Sequence, residues 1–281
     1  MSSTFLPDRQ FIRVNGETSA DFLQNLITCD VLGLPAGVAR AGALLTPQGK
    51  ILFDFLISKT DNGFSLEVVS AFADALLKRL TMYRLRAPIE LSKDETSGVT
   101  ITWDEDAPAG SMEDERFSKA GTKLYRVVGK HTEASDDYDA FRVAHGIVEA
   151  GADFELQDAF PHDVLMDVNG GVSFKKGCFV GQEVVSRMKH RGTARRRVVQ
   201  IEADSALPAA GGEIVAGGKP IGTLGTVCGN RGLGIIRTDR LADALANDVP
   251  VSVGGVLISA QLPQWSGLSL PAVDAATPSE V

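Results

Sequence analysis

Along the first ninety residues the spacing of apolar and polar positions changes several times, and each change marks an element. Phe11 to Val14 alternates as a half-buried strand does, and Asn15-Gly16 turns it. Thr18, with Asp21 three residues on, reads as the capped start of a helix carrying Phe22, Leu23, Leu26 and Ile27. Three strands are predicted next: Ala39 to Leu45, Ile51 to Ser58 and Phe64 to Val69. Pro47-Gln48-Gly49 and Asp61-Asn62-Gly63 supply the turns between them. Helical spacing returns over 71–84, with Phe72, Leu76, Leu80 and Tyr83 on one face, and Pro88 breaks it.

Further strands are expected at Ile89 to Leu91, Val99 to Trp103 and Leu124 to Val128. Residues 104–121 are acidic and rich in small side chains, so a loop is expected there. A short helix starts at Ser135 and ends at Gly146, which stands where a left-handed C-terminal residue belongs. After Arg197 the texture shifts to short β-like runs punctuated by glycine, from Val198 to Ile201 through to Val249 to Leu262. That is the pattern of a small β-barrel or sandwich. From about Gly267 the chain reads as a frayed tail.

Charge adds one local feature. The chain carries −8 overall, yet residues 175–197 hold eight Lys and Arg against Glu183 alone. That island is a net +7, which leaves −15 on the remainder. A basic island on an acidic protein suggests a site for an anion, and a solvated helix face and linker is the plain alternative. Direct nucleic-acid binding is not expected, because the total charge is acidic and no aromatics interleave the island after Phe179. No apolar run reaches about 18 residues, so no membrane span is expected. The N-terminus lacks signal-peptide and Arg-rich transit patterns, and Cys29, Cys178 and Cys228 lie far apart and are odd in number. Together these point to a reducing, cytoplasmic location. No CxxC or Cys/His ligand spacing is present, so no permanently bound metal or cluster is expected.

The chemistry concentrates in KKGCFVGQEVVSRMKHR, Lys175 to Arg191. Cys178 lies between Gly177 and Gly181, and Gly181 opens an amphipathic helix bearing Val184, Val185 and Met188. Unpaired N–H groups and partial positive charge at a helix start, with Lys and Arg nearby, favour a thiolate. Both glycines suit positive φ or close backbone approach. Gln182 and Glu183 either satisfy the helix dipole or orient the Cys178 loop by hydrogen bonds, and Arg187 is spaced for an i,i+4 pair with Glu183. The thiol's physical uses are nucleophile, transient ligand of a cluster iron, or redox partner.

The stretch Lys176-Gly177-Cys178-Phe179-Val180-Gly181-Gln182-Glu183 resembles the signature of the YgfZ family, K-G-C-[FY]-x-G-Q-E, at every fixed position. Arg187, Met188, Lys189 and Arg191-Gly192 also resemble that family, as do Gly16 with Asp21-Phe22-Leu23-Gln24, Thr28-Cys29-Asp30, and Phe141 to Ile147. The family is related to the glycine-cleavage T protein, a tetrahydrofolate-dependent aminomethyltransferase. The resemblance implies an α+β fold, a ring of α+β subdomains closed by a small C-terminal β-barrel. It implies a folate-binding region over 1–195 (subdomains 1–88 with 146–195, and 89–145), a barrel over 196–270, and a disordered tail over 271–281.

It also implies a folate-binding accessory protein for iron–sulfur cluster assembly or repair. Its partners are then a tetrahydrofolate or other folate derivative, cluster-carrying client proteins, including tRNA-modifying enzymes, and assembly factors. Cys178 is the expected functional thiol. Asp54, Arg84, Arg86 and Lys175 are the expected folate contacts. Asp54 is the one carboxylate in the apolar run Ile51 to Phe55, and it either accepts from a pterin or faces solvent on an edge strand. Arg84 and Arg86 follow a helix end, where dipole effects alone favour them, and where an Arg also suits a folate glutamate. The alternative is a true tetrahydrofolate-dependent aminomethyl or one-carbon transferase. The T protein's Y-T-G-E-x-G-[YF]-E segment has no counterpart here, which argues against it.

Overall fold

The computed structural model describes residues 2–135 and 137–272. The chain opens with β1 (Ser2–Asn15) and the short α1 (Ser19–Gln24). β2 (Val38–Leu45), β3 (Ile51–Thr60) and β4 (Gly63–Val69) follow, then α2 (Ser70–Arg84). β5 (Glu90–Trp103), β6 (Met112–Asp114), α3 (Glu115–Lys119) and β7 (Leu124–Val128) complete a first assembly. Its strands close into a barrel in the order β1-β4-β3-β2-β6-β7-β5. β1 makes the closure, pairing β4 from Arg9 to Asn15 and β5 along most of its length, with register shifts on either side of Gln10. Such bulges bend a strand enough to turn a sheet on itself, and closure removes exposed edges. The barrel therefore runs through residue 88. Apolar side chains of its strands, among them Val14, Leu44, Ile57 and Leu66, are fully buried with Leu76 and Leu80 of α2.

Three local expectations change. The strands expected at 89–91 and 99–103 are one continuous strand, β5. The expected loop over 104–121 contains β6 and α3, where the Asp114 carboxylate accepts the Arg116 N–H at 3.1 Å and Phe117 is fully buried. Five residues are too few for helical spacing to show. Thr18 does not cap α1 with its side chain, and its hydroxyl is buried without a partner.

α4 (Asp137–His145) ends at Gly146, whose φ is 68°. A Cβ on Gly146 would lie 2.6 Å from Pro263 Cγ, so the glycine also admits the C-terminal segment. A long irregular stretch then leads to α5 (Gln182–Arg191), which is bracketed by left-handed Gly181 and Gly192. β8 (Arg196–Glu202), β9 (Glu213–Ala216), β10 (Lys219–Cys228), β11 (Arg231–Arg237), α6 (Thr238–Ala246), β12 (Val251–Val253), β13 (Val256–Leu257) and β14 (Ser259–Gln261) follow. These strands form a seven-stranded antiparallel sheet, β13-β12-β9-β10-β11-β8-β14. α6, absent from the β-only expectation, buries Leu241 and Ala244 against Ile214 and Ile236. Residues 273–281, most of the expected tail, lie outside the described residues.

Candidate functional site

The motif forms an exposed loop held at three points. Lys176 Nζ donates to the carbonyls of Ile27 at 2.6 Å and Cys29 at 2.9 Å, and burial lowers its pKa to about 8. Phe179 is buried in the cluster that includes Val172, Val185 and Met166. Gly181 has φ 77°, and a Cβ there would lie 2.5 Å from the Thr46 carbonyl. The β2–β3 turn packs under the start of α5 in this way, with Gly49 against Val184. Between these anchors Cys178 is exposed. Gly177 is exposed too, has no positive φ, and has open space where a Cβ would stand, so the backbone reason expected for it does not hold.

The early segment Thr28-Cys29-Asp30 lies under this loop. The Thr28 hydroxyl donates to the Gly171 carbonyl at 2.6 Å and accepts from the Ala43 N–H at 2.9 Å. The Ser173 N–H donates to the Thr28 carbonyl at 2.9 Å. The Cys29 thiol is buried, and burial pushes its pKa to about 12, so it is an inert structural thiol. Glu183 and Arg187 form the i,i+4 ion pair on the exposed face of α5. That pairing, rather than a hydrogen bond to the Cys178 loop, occupies Glu183.

The second feature is a cavity of about 60 Å³ between the first assembly and residues of the irregular stretch 148–169. Asp54 projects into it from β3, which lies between β2 and β4 and is not an edge strand. Apolar wall comes from Phe55, Val68, Val148, Phe154 and Met166. Arg9, Glu67, Arg116, Arg126 and Glu149 supply charge. Arg126, 1% exposed, donates Nε to Glu67 at 2.9 Å and Nη1 to Asp114 at 3.1 Å. Arg116 grips Asp114 at 3.0 and 2.8 Å. Arg9 Nη2 reaches Glu149 at 2.6 Å, and the Tyr138 hydroxyl donates to the same carboxylate at 2.7 Å. Burial alone would raise Glu149, but Arg9, Arg142 and Arg116 overcome it and hold the carboxyl well below its ordinary range.

Asp54 has no ion-pair partner among the described residues. Burial, and then the Glu149 charge, push it up to about 6. A folded pKa above the unfolded value of 3.8 means that the ionised form costs stability above pH 6, a cost relieved as pH falls towards 4. Asp54→Asn is therefore expected to stabilise the chain at pH 7.5 by about 2–3 kcal/mol, with the gain vanishing near pH 4. Urea unfolding at both pH values checks this, and an equal gain at the two would contradict it.

Arg84, Arg86 and Lys175 do not line this cavity. Arg84 is half-buried at the end of α2, Arg86 is exposed in the turn beyond it, and Lys175 is exposed in the motif loop. The basic island is also partly neutralised. Arg197 pairs with Asp167 at 2.7 and 3.0 Å, Arg196 with Asp158 at 2.9 Å, and Arg187 with Glu183. The charged cavity residues that sequence reading missed are Arg9, Glu67, Arg116, Arg126 and Glu149. Glu67 in GFSLEVV and Arg126 in LYRVV carry the signal that singled out Asp54, one charge inside an apolar strand. Among the described residues no three His, Cys, Asp or Glu side chains gather as metal ligands would.

Residues 195–268 match the family model described as the CAF17 C-terminal β-barrel domain. The chain is 31% identical over 221 residues to a mitochondrial iron–sulfur cluster assembly factor IBA57 homolog of Pyricularia oryzae, covering 70% of this chain and 56% of that protein. It is 28% identical over 300 residues to the mitochondrial iron–sulfur cluster assembly factor IBA57 of Homo sapiens, covering 92% and 84%. The chain thus spans little more than half the length of the fungal relative. These relatives are named as mitochondrial, which overturns the expected cytoplasmic location. The glycine cleavage system aminomethyltransferase T of Bartonella henselae superposes with a TM-score of 0.67 over 94% of this chain and 85% of its own, at 15% identity. The chain thus has the glycine-cleavage T fold with a CAF17-type C-terminal domain, and its relatives include iron–sulfur cluster assembly factors.

Proposed function

We propose that this chain is a YgfZ-type accessory factor for iron–sulfur cluster assembly or repair in client enzymes, tRNA-modifying enzymes among them, and that Cys178 is its working group. The observation that carries this reading is an exposed thiol on a loop fixed by Lys176, Phe179 and Gly181. Rigid support under a single exposed group is what presentation to a partner requires. Among the described residues Cys178 has no hydrogen-bonded base to activate it as a nucleophile, so a ligand or docking thiol suits the geometry better than self-contained catalysis. The relatives named as cluster assembly factors support the same reading. The test is complementation: Cys178→Ala at wild-type level leaves cluster-dependent enzymes inactive in cells lacking this chain, and restored activity overturns the role.

The cavity fits the pterin of a folate. A flat ring suits the apolar wall, and its ring N–H and amino donors suit Asp54, an acceptor with no ion-pair partner. A bound folate supplies a one-carbon carrier, while Asp54 and the wall orient it and limit water. Titration with tetrahydrofolate is expected to give binding heat and thermal stabilisation, both lost in Asp54→Ala. Neither signal in the wild-type chain removes folate from the reading.

A further inference from the structure

α5 carries the Cys178 loop at one end and a second concavity at the other, about 15 Å away for a ten-residue helix. This groove lies between the last turn of α5, the start of α6 and the segment 262–272. Its floor holds His162. That residue is 1% exposed, and neither ring nitrogen has a hydrogen-bond partner among the described residues. Burial lowers its pKa, Asp167 opposes this, and Arg197 and Lys189 add to it, so the ring stays neutral near pH 7. A neutral imidazole offers one donor and one acceptor, and leaving both unmade in the interior is costly.

Two cations in the groove, Lys189 and Arg195, have no carboxylate partner among the described residues. Lys189 lies 3.8 Å over the Phe174 ring, whose centroid is 6.0 Å from that of His162. The backbone of Arg195 is fixed, because its carbonyl accepts from the Thr238 N–H at 2.8 Å and the Thr238 hydroxyl at 3.1 Å. Its guanidinium makes no ion pair among the described residues. The groove's carboxylates are already engaged, Asp167 by Arg197 and Asp239 by Arg237. The negative end of α5 is blunted as well, since the Gly192 and Thr193 N–H groups take the Lys189 and Met188 carbonyls. Met188, Leu262, Leu268 and Leu270 complete an apolar wall.

We propose that this groove is a second ligand site, for a small organic anion with a carboxylate or phosphate head and a short apolar body. Lys189 and Arg195 take the head, and the leucines and Met188 take the body, above the buried His162 ring. The site is separate from the Asp54 cavity and does not depend on the role of Cys178.

The test is a titration of the intact, ¹⁵N-His-labelled chain, read at the His162 ring nitrogens. Hexanoate and hexyl phosphate are the two probes, with inorganic phosphate as a head without a body. A saturable shift is expected with at least one hexyl probe, and whichever binds tighter names the head group. Inorganic phosphate is expected to bind at least tenfold more weakly. The double variant Lys189→Gln, Arg195→Gln, at two exposed positions, is expected to weaken binding at least tenfold. Arg231→Gln, on β11 outside the groove, leaves it unchanged. No saturable shift with either hexyl probe overturns the proposal, and so does equal affinity in the double variant.

Discussion

Cys178→Ala is expected to leave melting unchanged and to remove all cluster-related activity. The side chain is exposed and touches no core cluster, so its loss should change stability by no more than about 0.5 kcal/mol. Activity is different, because the other two thiols are less available: Cys29 is buried and Cys228 is half-buried at the end of β10. A pair of glycine variants separates the thiol from its placement. Gly181→Ala keeps the thiol but puts a Cβ 2.5 Å from the Thr46 carbonyl at φ 77°. The left-handed conformation alone costs about 1–2 kcal/mol. That variant should melt earlier and lose activity with the loop. Gly177→Ala meets open space and should melt as wild type does. Complementation and thermal melts at matched expression read all three. Full activity in Cys178→Ala would remove the thiol from the mechanism, whatever the glycines do.

Arg126→Ala should be the most destabilising single change in the first barrel. The guanidinium is 1% exposed and bridges Glu67, 6% exposed, to Asp114, fully buried. Removing it leaves two buried carboxylates with weaker partners: Arg9 is 3.8 Å from Glu67, and Arg116 alone holds Asp114. Breaking a buried network at one member typically costs about 3–5 kcal/mol, because the remaining charge has lost its partner. Replacing Arg126 and Glu67 together by apolar groups of similar volume removes the stranded Glu67 charge and leaves Asp114 to Arg116, so Arg126→Met with Glu67→Leu should recover part of the loss. Urea unfolding of the single and double variants measures both effects. A loss under about 1 kcal/mol in Arg126→Ala would show that water already satisfies these carboxylates.

Much of the scaffold was legible in the chain. β2, β3 and β4 stand within a residue or two of their alternating runs, because turn residues at Pro47 to Gly49 and Asp61 to Gly63 punctuate them. Gly146 and Gly181 adopt the left-handed conformations that their places at helix ends suggested. Asp54 was legible as a charge in an apolar strand, and the closed barrel turns that strand inward. Arg84 and Arg86 lie outside the Asp54 cavity, and a basic residue at a helix end is equally favoured by the dipole. α3 and α6 were hidden by brevity and by the glycine-rich β texture around them.

By itself the sequence determined the strand, turn and helix pattern of the first assembly and the motif loop, since these depend on neighbours a few residues apart. Only the tertiary structure decided which charges meet. Arg126 and Glu67 are 59 residues apart in sequence, and Arg9 and Glu149 are 140 apart. No local periodicity encodes such pairs, because burial selects a partner only once the barrel has closed. The same closure brings Thr28-Cys29-Asp30 under Lys176. Two segments that the sequence presents as separate motifs thereby become one support for Cys178.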